Sequence, residues 1–354
     1  MQAILTALAT ANPARYASQR EVFDVLDAHF SLEPREKDLY ERLLLDGPIR
    51  GRYIGVDADE EICATDPELL IRRFARHARH IAAQAARTAL DQAGLTPGEV
   101  EGLIVNTCTG YLCPGLSSYL LGDLGLPSHA TVLDLMGMGC GGAIPNLEAA
   151  GRMIQSGAKQ TVLCLSVEIC SATFFQGPDP DLIVSNSIFA DGASAAVLQA
   201  NVNGNCAGGL LKLVDFESVT QPKYRDHLRY TTERGRLRNV LARSVPAIGA
   251  RAVAQATGRL LARHGLTPGD IGRWVVHPGG TQVLRAIEKH LGLTPEMLRF
   301  SYEVFRDYGN MSSPSVMFVL SRTLRDARPG ANGKAVLVSF GAGFTAFAAL
   351  VEFL

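Results

Sequence analysis

A near-repeat constrains this chain more than its composition does. Gly94-Leu95-Thr96-Pro97-Gly98 returns as Gly265-Leu266-Thr267-Pro268-Gly269, with Gly265 171 positions after Gly94. The neighbours repeat too. From Ala82 the chain reads as an alanine-rich amphipathic helix leading to the short apolar strand Leu103-Ile104-Val105, and from Ala252 a second such helix leads to Trp274-Val275-Val276. In each copy Gly supplies the left-handed helix stop and Thr-Pro opens the next turn. The same offset carries Asn310 to position 139, beside Cys140, and each of the two residues follows a glycine at the start of a helical pattern. Two matched halves of alternating helices and short strands predict α/β layers, with both turns facing one shared centre. The polar run Asn201-Val202-Asn203-Gly204-Asn205 breaks the pattern, which places the halves at 1–205 and 206–354.

At 354 residues the chain is long enough for two such units around one large core. A net charge of −1 gives no electrostatic case for nucleic acid or a membrane surface. No apolar run approaches the ~20 residues of a membrane span, and Met1-Gln2-Ala3-Ile4-Leu5 does not read as a signal peptide. Seven cysteines in no paired spacing argue against a zinc site and against disulfides. Most lie in apolar runs such as Val162-Leu163-Cys164-Leu165 and read as small core residues of a reduced, cytoplasmic protein. There is no glycine-rich phosphate loop or nicotinamide fingerprint, so no redox cofactor is expected.

The chemistry concentrates in three segments. Cys140 lies in Asp134-Leu135-Met136-Gly137-Met138-Gly139-Cys140-Gly141-Gly142-Ala143, where glycines permit a tight strand-to-helix turn and the approach of a thioester. A helix N-terminus and a neighbouring imidazolium would favour its thiolate. His277 ends the apolar strand Trp274-Val275-Val276 and precedes Pro278-Gly279-Gly280, whereas the other seven histidines read as solvated. Asn310, in Tyr308-Gly309-Asn310-Met311-Ser312-Ser313, offers an uncharged amide N–H. A Cys-His-Asn set suits acyl chemistry. Each member also has a plainer reading: an inert buried thiol, a structural strand-end histidine, an asparagine N-cap.

The segments His277-Pro278-Gly279-Gly280 and Gly309-Asn310-Met311-Ser312-Ser313, with Cys140 among its glycines, resemble the type III polyketide synthases, the chalcone-synthase-like family, from about residue 40 to residue 354. The resemblance implies a thiolase-like duplicated fold, a five-layer αβαβα sandwich. It implies Cys140 as acyl acceptor, with His277 and Asn310 forming the hole for the enolate left when a malonyl thioester loses carbon dioxide. Phe189, before Ala190-Asp191-Gly192, corresponds to a gatekeeper between carrier tunnel and cavity, or else packs in the core. A second gatekeeper position falls near Arg238 or Asn239 and is not aromatic here. Cys108, Cys170, Thr173 and Ser312 correspond to cavity positions. Gly343 belongs to Ser339-Phe340-Gly341-Ala342-Gly343-Phe344, a loop that departs from the family's Gly-Phe-Gly-Pro-Gly and either shapes the cavity or is a plain turn. Arg42 matches a basic residue at the coenzyme A entrance. Asp46 stands where another is usual, which leaves Arg50 and Arg52 as substitutes or as solvated charges. Cys113-Pro114 occupies a loop that crosses between subunits of a homodimer.

The implied reaction is iterative decarboxylative condensation of acyl-CoA and malonyl-CoA, with coenzyme A thioesters as substrates and no resident cofactor or metal. Cysteines at 108 and 170, where chalcone-forming relatives carry threonine, point to an aliphatic starter and a pyrone or resorcinol product. The alternative within the family uses malonyl-CoA alone to make a phloroglucinol- or dihydroxyphenylacetyl-type product. A ketosynthase fed by acyl carrier protein follows its histidine with Gln-Ala-Asn rather than Pro-Gly-Gly. A thioester hydrolase and a non-catalytic acyl-binding scaffold are more distant readings.

Overall fold

The structure, a computed structural model, describes residues 1–201, 208–326 and 333–354. The expected boundary at 205 and Cys206 lie outside them. The first half runs β1 (Gln2–Ala11), β2 (Arg15–Ser18), α1 (Gln19–His29), α2 (Pro34–Leu44), β3 (Gly51–Ile54), α3 (Pro67–Ala93), β4 (Gly102–Thr107), α4 (Leu116–Leu124), β5 (Thr131–Met136), α5 (Ala143–Gln155), β6 (Thr161–Ile169), α6 (Pro180–Ile188) and β7 (Asp191–Asn201). The second runs β8 (Leu211–Thr220), β9 (Leu228–Glu233), β10 (Arg236–Leu241), α7 (Val245–Arg263), β11 (Arg273–Val276), α8 (Thr281–Leu291), α9 (Arg299–Tyr308), α10 (Ser315–Asp326), β12 (Lys334–Gly341) and β13 (Thr345–Phe353).

The repeat is present in three dimensions. Gly94 ends α3 at φ 66° and Gly265 follows α7 at φ 63°, both in the left-handed region. Thr96 with Glu99, and Thr267 with Asp270, then form matching capping boxes around a short 3₁₀ turn. Both helices begin earlier than their alanine-rich cores suggested, because each has a proline in its first turn, after Asp66 and after Ser244.

Nine strands make one sheet in the order β11-β12-β13-β8-β1-β7-β6-β4-β5. Read outward from the β8–β1 junction, the two arms match: β8-β13-β12-β11 against β1-β7-β6-β4, with β5 as an extra edge strand on the first arm. Among the described residues the arms join where Ile4 and Leu5 pair with Lys212 and Leu211. Alternation along the strands sorts side chains into layers. In β6, Val162 and Cys164 join the central core while Leu163 and Leu165 face the α3–α4 side. In β12, Ala335 and Leu337 face the same central core while Val336 and Val338 face α7 and α8. The central core is filled by α5 (Ile144, Leu147, Ile154) and α10 (Val316, Met317, Val319, Leu320). The layers are therefore helix, sheet, helix, sheet, helix, as the resemblance implied. A separate small core joins α1, α2 and β3 to α6 through Phe23, Leu26, Leu44, Ile54 and Ile183. No helix among the described residues is long and apolar enough to cross a membrane.

Candidate active site

The first of the two matched turns holds Cys140. β5 ends at Met136, Gly139 adopts φ 55°, and a 3₁₀ turn over Gly139–Gly141 feeds α5. The end of β12 packs directly on this turn. A side chain at Gly341 would lie 2.0 Å from the Met138 carbonyl oxygen, so only glycine lets the two backbones approach. Ser339 Oγ donates to the Gly141 carbonyl across the same contact (3.3 Å).

The second turn holds Asn310. Gly309 takes φ 72°, and the Asn310 backbone is pinned to the end of α6: its N–H donates to the Ile188 carbonyl (2.8 Å) and its carbonyl accepts from Ala190 N–H (2.9 Å). The Ser312 N–H donates to Asn310 Oδ1 (2.9 Å), which turns the amide so that Nδ2 is left with a long contact to the Gly279 carbonyl (3.4 Å). The side chain thus presents a donor rather than an acceptor. His277 follows β11, its own N–H bonded to the Val338 carbonyl (2.9 Å), and its Nδ1 is buried without a hydrogen-bond partner among the described residues.

These three residues line one cavity of about 500 Å³, together with Phe189, Phe340, Arg42 and Arg243. A second cavity of about 350 Å³ is lined by Cys140 and Phe189 again, with Cys108, Ser312, Tyr230, Leu237 and Asn239. Cys140 and Phe189 therefore stand at the junction of an outer and an inner chamber. Cys170 and Thr173 line a small side pocket of about 70 Å³ with Phe189 and Asn239, and Thr173 Oγ1 lies 3.3 Å from the Tyr230 hydroxyl of the inner chamber.

Burial dominates the electrostatics. It pushes the Cys140 thiol up to about 12, against hydrogen bonds from Ser312 and Asn310 that pull it down. Burial alone brings His277 down to about 3. Burial thus works against the thiolate and imidazolium that the motif favours, although Cys140 itself is only half-buried. The motif showed the residues but not the depth at which the sandwich holds them.

Other expectations also shift. Arg42 is exposed at the outer chamber and paired with Asp38 (3.0 Å). Arg50 is exposed and outside the chamber walls, while Arg52 is buried, so neither replaces the missing entrance cation. Arg243 does stand there. The C-terminal loop contributes Phe340 to the outer chamber and Ala342 to the inner, whereas Gly343 is exposed and in neither wall. Of the two residues near the second gatekeeper position, Asn239 lines the inner chamber and Arg238 pairs with Asp179 and Glu233 instead. Cys63 and Cys164 are core residues as expected, but Cys113 is exposed. His77 and His227 are half-buried rather than solvated.

One buried group escaped the sequence reading. Glu168, fully buried, accepts from Cys108 N–H (2.9 Å), Thr109 N–H (3.1 Å), Thr109 Oγ1 (2.9 Å) and Ser313 Oγ (2.7 Å). Burial raises its pKa and these donors oppose the rise. Its position in Ser166-Val167-Glu168-Ile169, a lone carboxylate in an otherwise strand-like run, was the available signal. Beneath it Asn106 Nδ2 donates to Ser313 Oγ (2.8 Å) and Asn106 Oδ1 accepts from Asn146 Nδ2 (2.9 Å). That network ties the Asn310 turn to α5, the helix that follows Cys140.

Comparison with known proteins identifies the family. The family described as FAE1/Type III polyketide synthase-like protein matches residues 58–263, and that described as Chalcone and stilbene synthases, C-terminal domain, matches 221–353. A 3,5-dihydroxyphenylacetyl-CoA synthase of Streptomyces toyocaensis is 32% identical over 346 residues, 95% of this chain and 86% of the relative. An alpha-pyrone synthesis polyketide synthase-like protein, Pks18, of Mycobacterium tuberculosis is 26% identical over 97% of this chain and 89% of its own length. Among solved structures, the 1,3,6,8-tetrahydroxynaphthalene synthase of Streptomyces coelicolor superposes with a TM-score of 0.90 at 25% identity, covering 99% of each chain. PKS-I of the brown alga Ectocarpus siliculosus gives 0.91 at 27%, covering 100% of this chain and 98% of that one.

Proposed function

From the premise that this chain belongs to the type III polyketide synthase family, acyltransferases that condense acyl-CoA and malonyl-CoA decarboxylatively, we propose that it loads an aliphatic acyl-CoA on Cys140, extends it with malonyl-CoA and cyclises the product to a pyrone or resorcinol. The observation that carries this reading is the position of Cys140, between an outer chamber holding His277 and Asn310 and an inner chamber faced by Leu228, Leu237 and Met136.

In the loading step Cys140 Sγ attacks the thioester carbonyl, a new C–S bond forms and the bond to coenzyme A breaks. His277 takes the thiol proton and returns it to the departing coenzyme A sulfur, so the resting pair is again neutral. In the second step the carbon–carbon bond to the malonyl carboxylate breaks, carbon dioxide leaves, and its electron pair becomes an enolate. The His277 ring N–H and Asn310 Nδ2 donate to the enolate oxygen, and the enolate carbon attacks the Cys140 thioester carbonyl: a C–C bond forms, the C–S bond to Cys140 breaks, the lengthened chain leaves on coenzyme A, and the freed Cys140 thiolate takes a proton from water. The exposed Arg42 and Arg243 suit coenzyme A phosphates, and Phe189 narrows the passage between chambers.

The working unit is a homodimer. The edge strand β5 leaves Val132, Leu133 and Met136 more than a third exposed beside Tyr111 at 74%. An unpaired apolar edge of this kind invites a second strand. The described cysteines are free thiols, which suits the cytoplasm.

A second reading, condensation of malonyl-CoA alone, is favoured by the similarity to the 3,5-dihydroxyphenylacetyl-CoA synthase. Product masses after incubation with malonyl-CoA, with and without hexanoyl- or dodecanoyl-CoA, separate the two. Incorporation of the aliphatic starter supports the first; one unchanged main product in all three reactions supports the second.

A further inference from the structure

Arg52 is a buried cation with no carboxylate within ion-pair distance among the described residues, the charge of Asp191 acting on it from farther away. It lies on β3, is 4% exposed, and spends its donors on neutral oxygens: Nε on Gln19 Oε1 (3.0 Å), Nη1 on the Asn186 and Phe189 carbonyls, Nη2 on the Ser187 carbonyl (2.8 Å). Those carbonyls belong to the last turn of α6 and to the residue after it, where orphan acceptors and the negative end of the helix dipole favour a cation. Gln19 Nε2 donates to the Ser187 carbonyl as well (3.1 Å). Burying a guanidinium is costly unless every donor is satisfied, so a planar fork across three carbonyls specifies their relative positions.

The peptide held in this way carries two parts of the site. Phe189 stands in the walls of both chambers. On the side away from Arg52, Ile188 and Ala190 are hydrogen-bonded to the backbone of Asn310. Residues 188–190 are therefore clamped between the guanidinium and the asparagine turn. We propose that Arg52 is a positioning residue for the condensation, holding Phe189 at the passage between the chambers and Asn310 at the enolate through the three carbonyls it binds. The inference rests on the roles given to Phe189 and Asn310 above.

The test is a double-mutant cycle on the full-length protein, with Arg52→Lys, Phe189→Ala and the pair. Lysine keeps the charge and loses the fork. In Arg52→Lys, kcat for malonyl-CoA decarboxylation should fall about tenfold with KM within about twofold of wild type, as misplacement of a bound group predicts. The ratio of kcat/KM for dodecanoyl- over hexanoyl-CoA should shift about threefold, and adding Arg52→Lys to Phe189→Ala should shift it no further. Leu44→Ala, in the small core that joins α2 to α6, controls for lost stability and should leave both quantities unchanged. If Arg52→Lys does not fold, Gln19→Ala, which leaves the guanidinium in place but frees its Nε, replaces it in the cycle. Additive shifts, or a decarboxylation rate equal to wild type, overturn the role of Arg52 while leaving the gate intact. A silent Phe189→Ala removes the gate and this inference with it.

Discussion

The two halves of the molecule repeat one plan and diverge where chemistry is needed. Each reaches a glycine turn that opens a central helix, but by different routes: β5 leads to Gly139 before α5, and the helix α9 leads to Gly309 before α10. The first turn presents a thiol, the second an amide whose oxygen is taken by the Ser312 N–H. Duplication thus brings a nucleophile and a donor to one cavity at no extra topological cost, and divergence at a few positions makes them complementary. The edges diverge as well. β11 ends the second arm beside His277, while the first arm adds β5 with apolar side chains left in solvent. One edge ends at a wall of the cavity and the other leaves an apolar strand exposed.

The sharpest break of the comparison is Cys140→Ser. If the first turn alone carries the nucleophile, intact-mass analysis after incubation with acyl-CoA should show one adduct on wild type and none on the variant, because an alcohol lacks the acidity and nucleophilicity of a thiol. Asn310→Ala tests the second turn. Loss of one preorganised donor should slow carbon dioxide release from malonyl-CoA by about 2–4 kcal/mol in barrier, with the fold kept by circular dichroism. A rate within a factor of two of wild type would remove Asn310 from the hole.

A smaller effect concerns pH. His277 ordinarily titrates near 6.5 and is held down to about 3 by burial. The unfolded chain binds this proton more readily, so stability is full above pH 6.5 and declines as pH falls towards 3. At pH 5 the decline from this group is about 2 kcal/mol, and urea midpoints of wild type and His277→Asn should converge there. The last test addresses the edge. Leu133→Ala, counted twice across a two-fold interface, should weaken dimerisation at least about tenfold, or about 1.4 kcal/mol, by sedimentation. A chain that sediments as a stable monomer of 37.9 kDa before any substitution would remove the partner surface altogether.

Much of this architecture was legible in local signals. The Gly-Leu-Thr-Pro-Gly copies mark helix stops and capping boxes, which depend on a handful of adjacent residues and so survive translation into structure. Cys140, His277 and Asn310 stood out because glycine and proline punctuate the turns that hold them. The equivalence of the Cys140 and Asn310 turns followed from one offset. Arg52 and Arg243 illustrate the opposite case. Nothing local distinguishes a guanidinium aimed at the end of α6 from one at an entrance, since burial is set by which distant elements pack over it.

The sequence by itself determined the duplication, the αβ layering and the three side chains that meet in one cavity, because periodicity, capping and turn chemistry act over a few residues. The tertiary structure decided how deep those side chains lie, and with it the direction in which burial shifts Cys140 and His277. It also decided that Phe189 divides two chambers, that Glu168 gathers donors from both halves, and that Arg52 serves a helix end instead of a phosphate. Each depends on segments more than a hundred residues apart meeting in one low-dielectric place, where a charge is favoured only if its partners have already been positioned.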